Sequence, residues 1–415
     1  MLWIRNILFV VLLSASFQGD GAIKVGVDLL FEKDAFHQLL NGKKIGLITN
    51  HTAVNKDLQT TLELLKNHSQ SFEVAAIFTP EHGFYGDGYA YETIDDGVVD
   101  GIPCYGLHGK RRRPTEEMLS SIDLLIYDIQ DIGSRAYTFV ATLFYCMEAA
   151  AKSHLPMLVL DRPNPMGGNI VDGPSVEEKW RSVMGYIAIP YCYGMTIGEL
   201  ASFFNSEYQI GCELTVIPME GWKRGMTFQD TGLPWVPTSP QIPEADTPFF
   251  YSTTGLIGHC SLTSIGIGYT LPFKLIGSPW IEAQKLSIAL NQQNLPGVLF
   301  QPFYFRPFFG KFKGQNCQGV RIVITDPDTF LPVTTQFTLL GVLKNLYPAQ
   351  FGEMLHALQS SRNKVDVFKK LTGSEEVLEI IANEKYVIWK LRELCARVRK
   401  EFLPIREKYL IKSYS

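Results

Sequence analysis

Glu81 and His82 follow one short apolar run, Asp128, Gln130, Asp131 and Arg135 follow a second, and Asp161, Arg162 and Asn164 follow a third. Residues of these types suit acid–base work on a polar substrate. Two carboxyl groups, one protonated and one ionised, suffice to cleave a glycosidic bond. Glu81 is the natural acid of such a pair, because it follows Pro80, sits beside His82 and is the only Glu at these run ends. Its partner is left open among Asp128, Asp131 and Asp161. Arg135 and Arg162 carry the planar fork that grips an anionic substituent, or they form structural ion pairs with those same aspartates. Strand-end Asp and Asn also cap helices, but three ends carrying both signs of charge point to a shared cleft.

Other chemistries lack support. No run is followed by GxGxxG, and neither GxxxxGK[ST] nor GxSxG occurs, which leaves nucleotide cradling and a nucleophile elbow without their motifs. The cysteines at 104, 146, 192, 212, 260, 317 and 395 show no CxxC spacing. His51, His82 and His108 lack ligand spacing, so no metal is expected. Dispersed cysteines in a long chain read as buried thiols, with one or two bridges open to an exported protein. The run KRRR at 110–113 reads as a solvated loop that can also draw in an acidic substrate.

The elements that must position these residues follow from periodicity. Residues 43–49 (KKIGLIT), 74–78, 124–129, 157–160 and 213–217 are apolar runs of strand length. Between them, Leu58, Leu62 and Leu65 share a helical face, as do Phe139, Val140, Leu143, Phe144 and Met147. Thr196 with Glu199 makes a capping box for a helix continuing to Phe204. Fully apolar strands alternating with amphipathic helices predict an α/β lobe with a mainly parallel sheet covered on both faces. In such sheets ligands bind beyond the carboxyl ends of the strands, where the charged residues fall. Residues 235–250, rich in Pro, read as a linker or a long ordered loop. Beyond them lie a Gly- and aromatic-rich stretch, a strand at 319–325 and a helix at 387–399, a smaller α+β lobe. The expected division is a signal peptide at 1–20, a first domain at 21–250 and a second at 251–415.

Composition agrees. The 415-residue chain is 46% hydrophobic and 19% charged, as packed proteins are, and its formal charge of −4 gives no footing for nucleic acid. Arg5, the apolar run 7–13 and the small residues Ser14, Ala15 and Ser16 form an export signal. A periplasmic or extracellular protein without stable membrane insertion is expected, since that run is too short to span a bilayer.

Several longer stretches carry a resemblance. ITNHTAV from Ile48, FTPEHG from Phe78, DIQDIGSRAYT from Asp128, LDRPNP from Leu160, YGMTIGELA from Tyr193, DTGLPWVPTSP from Asp230, PFKLIGSPW from Pro272 and the FRP segment from Phe305 are similar to the exo-β-N-acetylmuramidases, bacterial glycoside hydrolases of peptidoglycan turnover. The resemblance implies removal of a terminal, non-reducing N-acetylmuramic acid from peptidoglycan fragments. It also implies a Rossmann-like lobe joined to a smaller one, an active site between them, and no cofactor. On the matched stretches, Glu81, Asp131 and Asp128 are the catalytic candidates. Asn50, His82, Gln130, Arg135, Tyr137, Asp161, Arg162, Asn164 and Arg306 are the substrate-binding ones. The sugar's lactyl carboxylate suits Arg135 or Arg162. Before PFKLIGSPW the chain departs from its relatives: His259 and Ile265 stand where they carry glutamates, and Ile267 where they carry an arginine. The alternative reading is therefore a weakened relative that binds muropeptides or another acidic sugar without turnover.

Overall fold

The computed structural model describes residues 22–415, so the expected signal peptide at 1–20 lies outside them. Nine strands precede residue 220: β1 (Lys44–Thr49), β2 (Glu73–Thr79), β3 (Gly97–Val99), β4 (Ile102–Gly106), β5 (Leu124–Asp128), β6 (Met157–Leu160), β7 (Val171–Asp172), β8 (Cys192–Tyr193) and β9 (Leu214–Ile217). Seven of them form one sheet in the order β3-β4-β2-β1-β5-β6-β9, while β7 and β8 pair separately. Every neighbouring pair in the large sheet is parallel except β3 with β4.

Burial on both faces explains the uninterrupted apolar runs. Ile45, Leu47, Leu124, Ile126, Leu158 and Leu160 enter the core on one face, with Leu62 and Leu65 of the helix Thr61–Asn67. Ile48, Leu125, Tyr127, Met157 and Val159 enter the other, with Phe139 and Phe144 of the helix Phe139–Lys152. This alternation is the strand period of two. Thr196 caps the helix Ile197–Glu207, which runs three residues beyond the expected Phe204, and the capping box with Glu199 is formed. The edge strand β3 and its neighbour β4 escape the sequence reading because both are short and part-exposed, and β4 carries Pro103.

The chain from 235 to 246 is an ordered loop, in which the Trp235 indole donates to the Ile242 carbonyl at 3.3 Å. The helix Thr247–His259 begins inside the stretch read as a loop or linker. Pro248 occupies its first turn, where a missing N–H costs nothing. Beyond it, β10 (Leu275–Ser278), β11 (Val298–Phe305) and β12 (Cys317–Ile324) form an antiparallel sheet in the order β10-β12-β11. Five helices follow, ending in Val387–Arg406, seven residues longer than expected and with Pro404 inside it. All seven cysteines are free. Among the described residues no helix is long and apolar enough to cross a membrane.

The segment after that last helix returns to the large sheet. Tyr414 is fully buried against Trp222; its hydroxyl donates to Asp161 Oδ2 at 2.6 Å and accepts from the Met219 amide at 2.7 Å. Tyr414→Phe strands the Met219 amide and takes one donor from Asp161, which keeps the Thr196 hydroxyl and the Gly198 amide, and should cost about 1–3 kcal/mol in denaturant unfolding. Burial above all pushes the Asp161 carboxyl up to about 7, against the pull of the Tyr414 bond. The lost donor matters most to the ionised carboxylate, so the cost should grow as pH rises through 7. A cost that stays flat or vanishes there would contradict this account.

Candidate active site

The ends of β5 and β6 meet the end of β1 in a largely satisfied polar network, whereas the end of β2, with Glu81 and His82, opens onto a cavity. The order of the large sheet reverses direction between β1 and β5, the place where a crevice normally opens. Asp128, at the end of β5, is fully buried there; it takes the Arg162 Nη2 at 2.9 Å together with Arg162 Nε and the Thr61 hydroxyl. Arg162 Nη1 donates to the Val54 carbonyl at 2.8 Å. Asn50 Oδ1 accepts from the Thr52 amide at 3.0 Å, and Thr52 Oγ1 accepts from the Gln130 amide at 3.0 Å. Gln130 Nε2 donates to the carbonyls of Asp131 and Pro163. Asp161 accepts from the Gly198 amide at 2.8 Å and the Thr196 hydroxyl at 2.8 Å. Asn164 caps the Met166 amide at 3.0 Å and donates to the Met195 carbonyl at 3.0 Å.

Neither arginine expected to read an anion is free to do so. Arg135 is buried, with donors on the carbonyls of Thr372 at 2.8 Å, Met184 at 3.3 Å and Pro174 at 3.3 Å, and burial lowers its guanidinium to about 10. It ties the loop after β5 to the second lobe. Arg306 is exposed and donates to Gly314 O at 2.7 Å, pinning the turn between β11 and β12. Asp131 accepts from the Gly133 amide at 2.7 Å and from the Tyr193 hydroxyl, its Oδ1 has no protein partner, and burial raises it to about 6. Asn50, Asp128, Gln130, Asp131, Arg135, Asp161, Arg162, Asn164 and Arg306 all lie off the cavity wall described next. The physical reason is local: each charge at a strand end meets an opposite charge, an amide or a carbonyl within the same seam, which leaves little to face a ligand.

A cavity of about 580 Å³ opens beside this seam, between the loops after β2 and β5 and the helix Thr247–His259 with the loop that follows it. Its volume is that of a small-ligand site. Glu81, His82, Tyr137, Thr138 and Tyr191 of the first lobe line it, together with Tyr251, Gly258, His259, Ile265, Ile267, Phe273 and Lys311 from the helix Thr247–His259 and the chain beyond it. After β2, His82 and Gly83 take positive φ of 72° and 79°, which turns the chain back at Glu81. The Glu81 carboxyl is 6% exposed as a residue; Oε1 accepts from the Tyr91 amide at 2.9 Å and Oε2 from the Thr138 hydroxyl at 2.6 Å. Thr138 lies beside Tyr137, whose hydroxyl donates to Thr238 at 3.0 Å.

Two imidazoles attend the carboxyl. His108 Nε2 lies 3.7 Å from Glu81 Oε1. Burial lowers His108, with Arg112 and His82 adding to the effect and Glu81 opposing it, so the ring is neutral near pH 7. His82 Nδ1 faces the Gly88 carbonyl at 2.8 Å and therefore carries the proton there. Among the described residues no group of three metal-binding side chains forms. In the KRRR run, Lys110 pairs with Asp95, Arg111 with Asp96 and Arg113 with Glu148, in keeping with a solvated loop.

Sequence reasoning missed Thr138, Tyr91 and Tyr251, and weighed His108 only as a metal ligand. Thr138 closes the DIQDIGSRAYT stretch and was available as a signal; Tyr91 contributes a backbone amide, which no residue type announces. Among the described lining residues Glu81 is the one carboxyl.

Two family models match the chain in succession. Residues 45–246 match the family model "Exo-beta-N-acetylmuramidase NamZ, N-terminal", and residues 249–411 match the corresponding C-terminal model. The chain is 40% identical over 391 residues to the peptidoglycan beta-N-acetylmuramidase NamZ of Bacillus subtilis (strain 168), covering 94% of this chain and 91% of the relative. Two crystal structures of DUF1343 family proteins from Bacteroides fragilis NCTC 9343 share the fold. One has a TM-score of 0.86 at 38% identity, covering 94% of this chain and 99% of that one; the other has 0.70 at 27%, covering 94% and 98%.

Proposed function

Because the chain belongs to the exo-beta-N-acetylmuramidase NamZ family, we propose that it is an exo-acting glycoside hydrolase that removes terminal N-acetylmuramic acid from the non-reducing end of peptidoglycan fragments. The observation that carries the catalytic reading is Glu81: a carboxyl held by two hydrogen bonds on the wall of the interlobe cavity. In this role it protonates the departing glycosidic oxygen as positive charge develops on the sugar ring. No second carboxyl lines the described wall, so attack at C1 falls to water or to the sugar's own acetamido oxygen. The tyrosines at 137, 191 and 251 offer aromatic faces to the apolar side of the ring. The export signal in residues 1–20 supports action outside the cytoplasm, where peptidoglycan lies.

A second reading, binding without turnover, draws on the same lone carboxyl, since two-carboxylate catalysis is not assembled. The wild-type protein incubated with 4-nitrophenyl N-acetyl-β-muraminide separates the two. Release of nitrophenolate is the expected result; saturable binding with no release would establish the second reading and retire the first.

A further inference from the structure

We propose that Lys311 binds the lactyl carboxylate of N-acetylmuramic acid and so sets the preference for this sugar over N-acetylglucosamine. The proposal rests on the muramidase reading and deepens it. A sugar acid brings its own negative charge into the cavity, and some cation must meet it there. Arg135 and Arg162, the arginines the sequence offered, are taken up by carbonyls and by Asp128. Among the described residues lining the cavity, Lys311 is the only lysine and there is no arginine.

The surroundings of Lys311 suit that role. It is exposed and makes no ion pair among the described residues; its ammonium lies 4.9 Å from the ring of its neighbour Phe312. The turn that carries it is held firmly: the Phe308 amide donates to Gly268 O at 2.6 Å, the Gly314 amide to Pro307 O at 2.9 Å and the Gln315 amide to Phe312 O at 3.0 Å. Gly268, at φ 89°, has no room for a Cβ beneath the Phe309 carbonyl, so the two loops meet backbone to backbone. This holds the backbone at Lys311 beside the wall that includes Ile265 and Ile267, whose side chains offer a carboxylate no donor. A charge-assisted bond gains strength beside such a surface. Lys311 belongs to the second lobe and Glu81 to the first. A sugar ring can therefore present its glycosidic oxygen to one and its O3 substituent to the other. Lys311 and His259 also border an adjoining hollow that contains Glu353 and Lys364.

The test uses the reaction product, which is not consumed. N-acetylmuramic acid and N-acetylglucosamine are titrated calorimetrically into the wild type, Lys311→Met and Lys311→Arg, with thermal midpoints recorded to confirm folding. Lys311→Met should lose about ten- to a hundredfold in affinity for N-acetylmuramic acid and change by less than about threefold for N-acetylglucosamine. Lys311→Arg should retain most of the preference, and added salt should weaken N-acetylmuramic acid binding in the wild type but not in Lys311→Met. Equal losses for both sugars, or none, would overturn the assignment while leaving the muramidase reading intact. Failure of the wild type itself to bind or hydrolyse a muramic acid sugar would overturn both.

Discussion

Glu81→Gln lowers turnover at least ~100-fold, the scale on which loss of a general acid is felt. The substitution is close to isosteric and keeps the local bonding. The glutamine carbonyl can accept from the Tyr91 amide, and its NH₂ can donate to the Thr138 hydroxyl, which rotates from donor to acceptor. What the amide cannot do is deliver a proton to a leaving oxygen. The size of the loss should follow the leaving group. Nitrophenolate departs with little assistance, whereas a sugar alkoxide must be protonated, so a natural N-acetylmuramyl-(1→4)-N-acetylglucosamine linkage should suffer more than the nitrophenyl substrate. Both are measured as kcat/KM for wild type and variant, with the thermal midpoint as the control for folding. Full activity on the natural linkage would remove Glu81 from the mechanism.

Arg162→Ala should be among the most destabilising single changes in the first lobe, at roughly 3–5 kcal/mol. It strands a fully buried Asp128, which then keeps only the Thr61 hydroxyl as a donor. The energetics of buried pairs give this prediction a second arm. Removing both charges in Asp128→Leu/Arg162→Met abolishes the isolated charge, so the double variant should be more stable than Arg162→Ala. Urea unfolding of the three proteins decides it; an Arg162→Ala midpoint equal to wild type would mean the pair contributes nothing to the fold. The result also bears on the sugar. If Arg162 serves the fold alone, the folded fraction of this variant keeps its preference for muramic acid, in contrast to Lys311→Met.

The central sheet was legible because its strands are buried on both faces, which forces uninterrupted apolar runs such as LLIYD in β5. The helix Ile197–Glu207 announced itself by a capping box whose two hydrogen bonds are local in sequence. The helix Thr247–His259 did not, because Pro248, Gly255 and Gly258 read as breakers, yet the first sits where a proline is harmless and the last lies where the Ile265 side chain crowds in. At the site, Glu81 and His82 were legible as strand-end residues, Tyr137 through the resemblance of its stretch, and Ile265 and Ile267 as departures from that resemblance. The misplacement of Asp128, Arg162 and Arg135 has one cause: residue type marks a capacity for chemistry, whereas partnering decides whether that capacity faces a ligand or its own neighbour. Lys311 was passed over for the complementary reason. A lone lysine in a turn looks like any solvated charge until the cavity beside it is known to hold no other cation.

The bond from Tyr414 to Asp161 spans 253 positions, and its consequence is temporal. A chain made from residue 1 onward lays down all seven strands of the large sheet by residue 217, yet the Met219 amide waits for residue 414 before it is matched, and Asp161 waits for one of its donors. The two family models part between residues 246 and 249, a boundary in ancestry. In the sequence of assembly no such boundary holds, because the first lobe is sealed by a residue that arrives after the whole of the second.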